Sequence, residues 1–234
     1  MIGILQPGYL PWLGFFEQLY RSDVFVIYDD VQYDKNGWRN RNRIKTANGI
    51  QWLTVPALIK FGEHPQICEV RIDKGSKWRK KHLETIRQSY ARAPFFKDYM
   101  GIFEETFARD WDFLIDLDIH LIKKMAHALG IPEKPMIRSS TLGIQGERVD
   151  RLIQICKHFS ADTFYEGASG VNYIDPSEFQ KSGITVLFQE YHHPEYSQLH
   201  GDFVPYLSLL DLLFNCGDKS LDVLLGKYKP EVAS

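Results

Sequence analysis

A chain of 234 residues, 44% apolar and 14% aromatic, can bury a substantial core, and its length suits one domain or a domain with an elaboration. With 28 basic against 30 acidic side chains the formal charge is −2, which excludes a general attraction to nucleic acid or anionic membrane and requires any basic site to be local. Cys68, Cys156 and Cys216 are far apart and odd in number, which excludes a disulfide framework and a CxxC metal site and points to a reducing cytoplasm. The first residues lack a signal-peptide pattern, and no uncharged apolar run approaches the ~20 residues of a membrane-spanning helix.

The run Ile2–Leu5 is continuously apolar, as a strand covered on both faces would be, and stops at Gln6, Pro7 and Gly8. Pro7 and Pro11 forbid a helix before about Trp12, whereas Trp12, Phe15, Phe16, Leu19 and Tyr20 recur at helical spacing. Val24–Tyr28 predicts a second strand, ending in Asp29 and Asp30. The segment YDKNGWRNRNRI at 33–44 reads as a polar, basic loop whose guanidinium forks could hold phosphate or carboxylate oxygens. The competing reading is a solvated hairpin turned at Asn36-Gly37. Gln51–Val55 and Val70–Ile72 predict further strands.

Helical spacing follows over Lys77–Tyr90, Phe95–Phe107 and Trp111–Leu129, the last closed by Gly130 and Pro132. The basic run WRKKH at 78–82 reads as a solvated face or as a surface for an acidic partner. Met136–Arg138 is then a strand, Glu147–Phe159 a helix and Thr163–Tyr165 a strand. Asp175-Pro176-Ser177-Glu178 has the form of an N-cap followed by proline at the first helical position, and Ile184–Phe188 is the last strand. Strand and helix alternating at these lengths imply an α/β fold: a doubly wound, mostly parallel sheet in a single domain over 1–234, with a helical insertion at about 74–132.

On such a sheet ligands sit beyond the carboxyl ends of the strands, where the loops Gln6–Gly14, Asp29–Asn42, Glu166–Tyr173 and Glu190–His200 are expected to converge. Glu166, Ser169, Gly170 and Tyr173 belong to a short glycine turn able to approach an anion, or to an ordinary turn. His192, His193 and His200 form the one histidine cluster; one of them could act as general base, and zinc binding lacks the expected ligand pattern. Asp29 and Asp30 invite a metal reading, but neighbours on a strand point to opposite faces. Cys156 and Cys216 read as core.

QPGYLPWLGFF at 6–16, DDVQY at 29–33, WRNRNRI at 38–44 with WLTVP at 52–56, and YSQLHGDFVPYLSLLDLLFNCG at 196–217 together resemble the WbqC-like family over nearly the whole chain. The resemblance implies a cytoplasmic bacterial protein of surface-polysaccharide (O-antigen) synthesis, including pathways that decorate an amino sugar with an amino-acid-derived acyl group. A more distant resemblance links the opening to the nucleotidyltransferase superfamily: Trp12-Leu13-Gly14-Phe15 stands where that superfamily has HxGH, with both histidines replaced by aromatics. The function these resemblances imply is transfer of an aminoacyl or acyl group to a nucleotide-linked amino sugar. No cofactor is expected to be bound, and the acyl donor is expected to be a thioester on a carrier protein or on coenzyme A. His193 is the expected base and Asp30 its competitor. Arg39 and Arg41 are expected on pyrophosphate, Tyr9 and Trp12 stacked on a base or sugar, and Gln6, Gln32 and Asn40 on hydroxyls. Pro7, Gly14, Asp29, Trp38, Glu166, Ser169, Gly170, Tyr173, Tyr196 and Gln198 complete the expected lining. A nucleotidyltransferase or ATP-dependent ligase, and a scaffold without chemistry, are the alternatives.

Overall fold

The computed structural model describes residues 1–35, 37–60 and 62–227. In chain order the elements are β1 (Ile2–Leu5), α1 (Leu13–Arg21), β2 (Val24–Ile27), β3 (Arg41–Thr46), β4 (Gly49–Thr54), β5 (Ala57–Leu58) and β6 (Arg71–Ile72). Three helices follow, α2 (Trp78–Tyr90), α3 (Phe96–Ala108) and α4 (Leu114–Ala128). Then come β7 (Met136–Arg138), α5 (Arg148–His158), β8 (Thr163–Glu166), α6 (Pro176–Gln180), β9 (Thr185–Phe188), α7 (Leu209–Cys216) and α8 (Ser220–Leu224). They form two compact units, each built from separate stretches of chain. The first holds Met1–Gln6, Gly14–Val31 and Pro132–His192, and the second Pro7–Leu13, Gln32–Ile131 and the chain from His193 onward.

The first unit is the expected doubly wound sheet: five strands in the order β7-β2-β1-β8-β9, all parallel. Side chains alternate along each strand, so Ile2, Ile4, Val26 and Phe164 share one face and bury against Leu152, Ile153, Ile155 and Cys156 of α5 and Phe179 of α6. Phe164 and Phe179 stack with centroids 5.3 Å apart. The other face takes α1, whose Phe15 meets Phe25 edge-on at 5.4 Å. Each such buried side chain contributes about 1.5–3 kcal/mol. Gly3 is needed in β1, because a Cβ there would lie 2.4 Å from Ser22 Oγ. At α6 the expected cap forms: the Asp175 carboxylate accepts from Ser177 N at 2.9 Å, and Pro176 opens the helix. The strand order reverses between β1 and β8, so the topological switch point of this sheet lies at Leu5–Gln6 and Glu166–Gly167.

The second unit carries α2, α3, α4, α7 and α8 with two small antiparallel sheets, β3-β4 and β5-β6. Phe214 of α7 lies at its centre, 5.1 Å from Tyr90 and 5.6 Å from both Phe96 and Phe103. Gly217 ends α7 at φ +55°, where a Cβ would sit 2.3 Å from the Phe95 ring. The helix expected from Trp111 begins only at Leu114, because Trp111 turns its indole N–H back onto Thr106 O at 2.9 Å. The polar stretch 33–44 is not all loop: β3 begins at Arg41 and pairs with β4 in a register running from Arg41↔Thr54 to Thr46↔Gly49. Its hairpin turns at Ala47-Asn48, before Gly49 at φ +97°. The expected turn at Asn36-Gly37 lies partly outside the described residues. No described helix is long and apolar enough to cross a membrane.

Candidate functional site

The expected site residues divide between the two units, and each group has its own partners. In the first, Asp29 follows β2 fully buried and is saturated: it accepts from Arg138 Nε at 2.6 Å, from Ser140 N and Oγ at 2.9 Å each, and from Ser139 Oγ at 3.2 Å. Asp30 accepts from Ser139 Oγ and from the Arg151 guanidinium, which also lies over the Tyr28 ring. Two guanidiniums thus balance two carboxylates, binding the end of β2 to β7 and α5. Among the described residues no group of three or more His, Cys, Asp or Glu side chains could hold a metal ion.

Glu166 ends β8 only 5% exposed, accepting from Tyr173 Oη at 3.0 Å. Burial pushes its carboxyl up to about 7, against the lowering effect of the Tyr173 hydroxyl and of Gly167 N–H. Gly170 packs on it so closely that a Cβ would meet Glu166 Cγ at 2.3 Å. Ser169 is exposed on the same turn, with its carbonyl accepting from Asn172 Nδ2 at 3.2 Å. Gln6 is half-buried at the end of β1. The carbonyl of Gly14 accepts from Gln189 Nε2 at 2.8 Å. The same amide nitrogen reaches the buried Glu17 at 2.6 Å, which also accepts from Tyr165 Oη at 2.9 Å.

In the second unit the opening loop is clamped by the segment that follows β2. Arg39 Nη1 donates to Pro7 O at 2.7 Å, Asn42 Nδ2 to Leu10 O at 2.7 Å, and Tyr9 N to Arg39 O at 3.0 Å. Gly8 allows this approach, since a Cβ would stand 3.0 Å from Trp38 O. Tyr9 is wholly buried with its hydroxyl 2.9 Å from His82 Nδ1, which leaves its ring no open face for stacking. Asn40 is also buried, its amide on Val55 O at 2.7 Å. Gln32 Nε2 lies 3.2 Å from His64 Nδ1.

Four expected residues are brought together on the surface of this unit. Trp38 and Trp52 are each 44% exposed, with ring centroids 5.1 Å apart. Arg41 Cζ lies 4.8 Å from the Trp52 centroid, and Arg43 Cζ lies 5.5 Å from Trp38 and 5.9 Å from Trp52. Arg43 Nη2 donates to Tyr206 O at 3.0 Å, and the Tyr206 ring touches Trp12 at 5.6 Å and His193 at 5.1 Å. Tyr206, 51% exposed, is held at φ +59°, a conformation that costs a non-glycine residue on the order of 1 kcal/mol. Trp12, Trp38, Arg41 and His193 are therefore joined through Arg43, which the sequence reading included only as part of the basic segment 33–44, and through Trp52 and Tyr206, which it placed in no site. A signal for two of them existed: alternation sets Arg41 and Arg43 on one face of β3, and the register sets Trp52 opposite Arg43.

His193 Nδ1 faces Pro194 O at 2.9 Å, the geometry of an N–H donor, which places the imidazole lone pair on Nε2. Burial pulls its pKa below the ordinary histidine value, so the ring is neutral at pH 7. Tyr196 stacks on it at 6.4 Å and donates to the buried Asp211 at 2.9 Å, which Tyr90 Oη also reaches at 2.8 Å. Burial pushes the Asp211 carboxyl up to about 6. Gln198 accepts from Val204 N at 2.9 Å and Lys45 Nζ at 3.3 Å, so Tyr196 and Gln198 brace the segment carrying His193.

Exposed indoles offer stacking faces to a nucleobase or sugar ring, guanidiniums offer donors to phosphate oxygens, and a neutral imidazole accepts a proton. The chain is 35% identical over 225 residues to an uncharacterized protein of Mycobacterium tuberculosis, covering 95% of this chain and 96% of that one. No solved structure matches it at a significant level. The model of the WbqC-like protein family matches residues 6–223, and the chain belongs to that family.

Proposed function

We propose that the protein is a transferase of surface-polysaccharide synthesis that places an aminoacyl or acyl group on the amino group of a nucleotide-linked sugar. One observation carries this reading: the exposed Trp38-Trp52 pair with Arg41 and Arg43 over it, joined to His193 through Tyr206. The indoles stack on the base or sugar, and Arg41 and Arg43 hold pyrophosphate oxygens. The sugar amine attacks the thioester carbonyl, the new N–C bond forms, and His193 Nε2 takes the amine proton. Collapse of the tetrahedral intermediate breaks the C–S bond, and the imidazolium returns the proton to the departing sulfur. The donor is a thioester of a carrier protein or of coenzyme A.

The test is to mix purified protein with nucleotide amino sugars and a charged carrier or acyl-coenzyme A, and to follow the sugar by mass spectrometry. The reading expects a mass gain equal to the acyl group, lost in His193→Ala while binding of nucleoside diphosphate persists. An unchanged sugar, or an undiminished rate in His193→Ala, overturns it.

A further inference from the structure

Strand β3 carries a third cation besides Arg41 and Arg43. Lys45 continues their alternation but is buried, and its ammonium lies inside the segment that bears His193 and Tyr206. Lys45 Nζ donates to Gly201 O at 2.9 Å, to Gln198 Oε1 at 3.3 Å and to Asp202 O, so its three donors meet three acceptors. The chain reverses to make this possible: His200 at φ +65° and Gly201 at φ +81° precede the two carbonyls that share the ammonium. Gln198 closes the loop from within, accepting from Val204 N at 2.9 Å and donating to Val204 O at 3.0 Å. Behind it stands Asp211, fully buried, which accepts from Tyr196 Oη at 2.9 Å and Tyr90 Oη at 2.8 Å. Tyr90 Oη in turn accepts from Lys45 N at 3.1 Å, and the Asp211 charge favours the Lys45 ammonium. His193 rests on the rings at the two ends of this loop, Tyr196 at 6.4 Å and Phe203 at 5.8 Å.

Resting on the transferase reading, we propose that Lys45 and Asp211 are positioning residues for His193: they fasten the 196–204 loop to the strand that bears Arg41 and Arg43, and so fix where the imidazole stands relative to the guanidiniums. The chemistry requires such a mount. A base must stand within hydrogen-bond reach of the sugar amine while the pyrophosphate is held, and a misplacement of about 1 Å can cost on the order of a hundredfold in rate. Space-filling alone does not account for the pair, because apolar side chains of similar volume would fill the same space without the desolvation that two buried charges incur. What the charges add is direction: each acceptor on Lys45 and each hydroxyl on Asp211 has one place to be. Because β3 carries the arginines and the lysine together, the base and the phosphate-binding groups share one rigid support.

The measurement is made on the imidazole of the full chain and needs no substrate. Ring nitrogen and carbon NMR signals of His193, identified by their loss in His193→Gln, are followed from pH 4.5 to pH 8. The parent is expected to carry its proton on Nδ1 and to titrate below the ordinary 6.5. Tyr196→Phe removes one hydroxyl and keeps the ring; Lys45→Met keeps most of the side chain's length and removes its donors. In both, the midpoint should rise toward 6.5 by about half a pH unit or more, and the Nε2–H form that histidine prefers in water should appear. A role in stability alone would lower the denaturation midpoint and leave the ring of the folded molecules as it is. An unmoved tautomer and midpoint in Tyr196→Phe, or in a folded Lys45→Met, overturns the proposal; if Lys45→Met does not fold, Tyr196→Phe decides. The two readings fail separately. An imidazole that answers to these variants in a protein that never acylates a nucleotide amino sugar keeps the positioning and loses the reaction. Acyl transfer with an imidazole indifferent to them keeps the reaction and loses the positioning.

Discussion

The hydroxyl of Tyr9 lies 2.9 Å from His82 Nδ1, joining the opening loop to α2 with both side chains out of water. Burial pulls His82 down to about 4 from its ordinary 6.5. The unfolded chain therefore binds a proton between these values that the folded one refuses. Stability from this group is complete above pH 6.5 and falls as pH drops toward 4, by on the order of 3 kcal/mol. His82→Gln should flatten this part of the urea midpoint profile between pH 7 and pH 4.5. Tyr9→Phe, which leaves the ring nitrogen unpaired, should cost about 1–3 kcal/mol at pH 7.

Glu166 titrates in the opposite sense. Its carboxyl, raised to about 7 by burial, binds a proton in the folded state that the unfolded chain has released, so its contribution is full below about pH 4.5 and is lost as pH rises through 7. Glu166→Gln keeps an uncharged partner for Tyr173 and removes the titration. Relative to the parent, the variant should gain stability from pH 5 to pH 8, by up to about 3 kcal/mol, in denaturant melts at the two pH values. A difference that does not change with pH would place the carboxyl in contact with water.

The strands and crossovers of the sheet unit were legible because their signals are local. Short apolar runs stop at polar ends, and Asp175-Pro176 announces its helix before any tertiary contact is made. Helix α7 was not legible: Leu209, Leu210, Leu212, Leu213 and Phe214 are all fully buried, and a helix covered all round shows no amphipathic period. Long-range pairing hid the rest. Asp29 and Asp30 looked available as a base or a metal site because Arg138 and Arg151, their partners, come more than 100 residues later. Tyr9 looked like a stacking residue until its partner on α2 appeared. Tyr206 carried no motif at all; its place follows from the Arg43 hydrogen bond and its left-handed backbone.

The indole pair gives a binding prediction. Trp38→Ala and Trp52→Ala should each weaken nucleoside diphosphate binding about tenfold, as expected for loss of one stacking face worth 1–3 kcal/mol, with kcat changing less than KM. Arg43→Lys keeps the charge but loses the fork that reaches both indoles and Tyr206 O, so it should also weaken binding, in a way added salt does not reproduce. Calorimetric titration with uridine diphosphate measures both. Unchanged affinity in all three variants would remove the platform.

Tyr206→Gly separates strain from function. Glycine adopts φ +59° without penalty, so the variant should unfold at the same or slightly higher denaturant concentration than the parent, despite losing a half-exposed ring. The ring also stands against both Trp12 and His193, and without it the imidazole keeps Tyr196 and Phe203 but loses its contact toward the indole surface. Turnover should therefore fall tenfold or more with stability retained, and Tyr206→Phe, which restores the ring, should recover most of it. If the glycine variant were as active as the parent, Tyr206 would be a loop residue, and the link between His193 and the indole surface would have no part in the reaction.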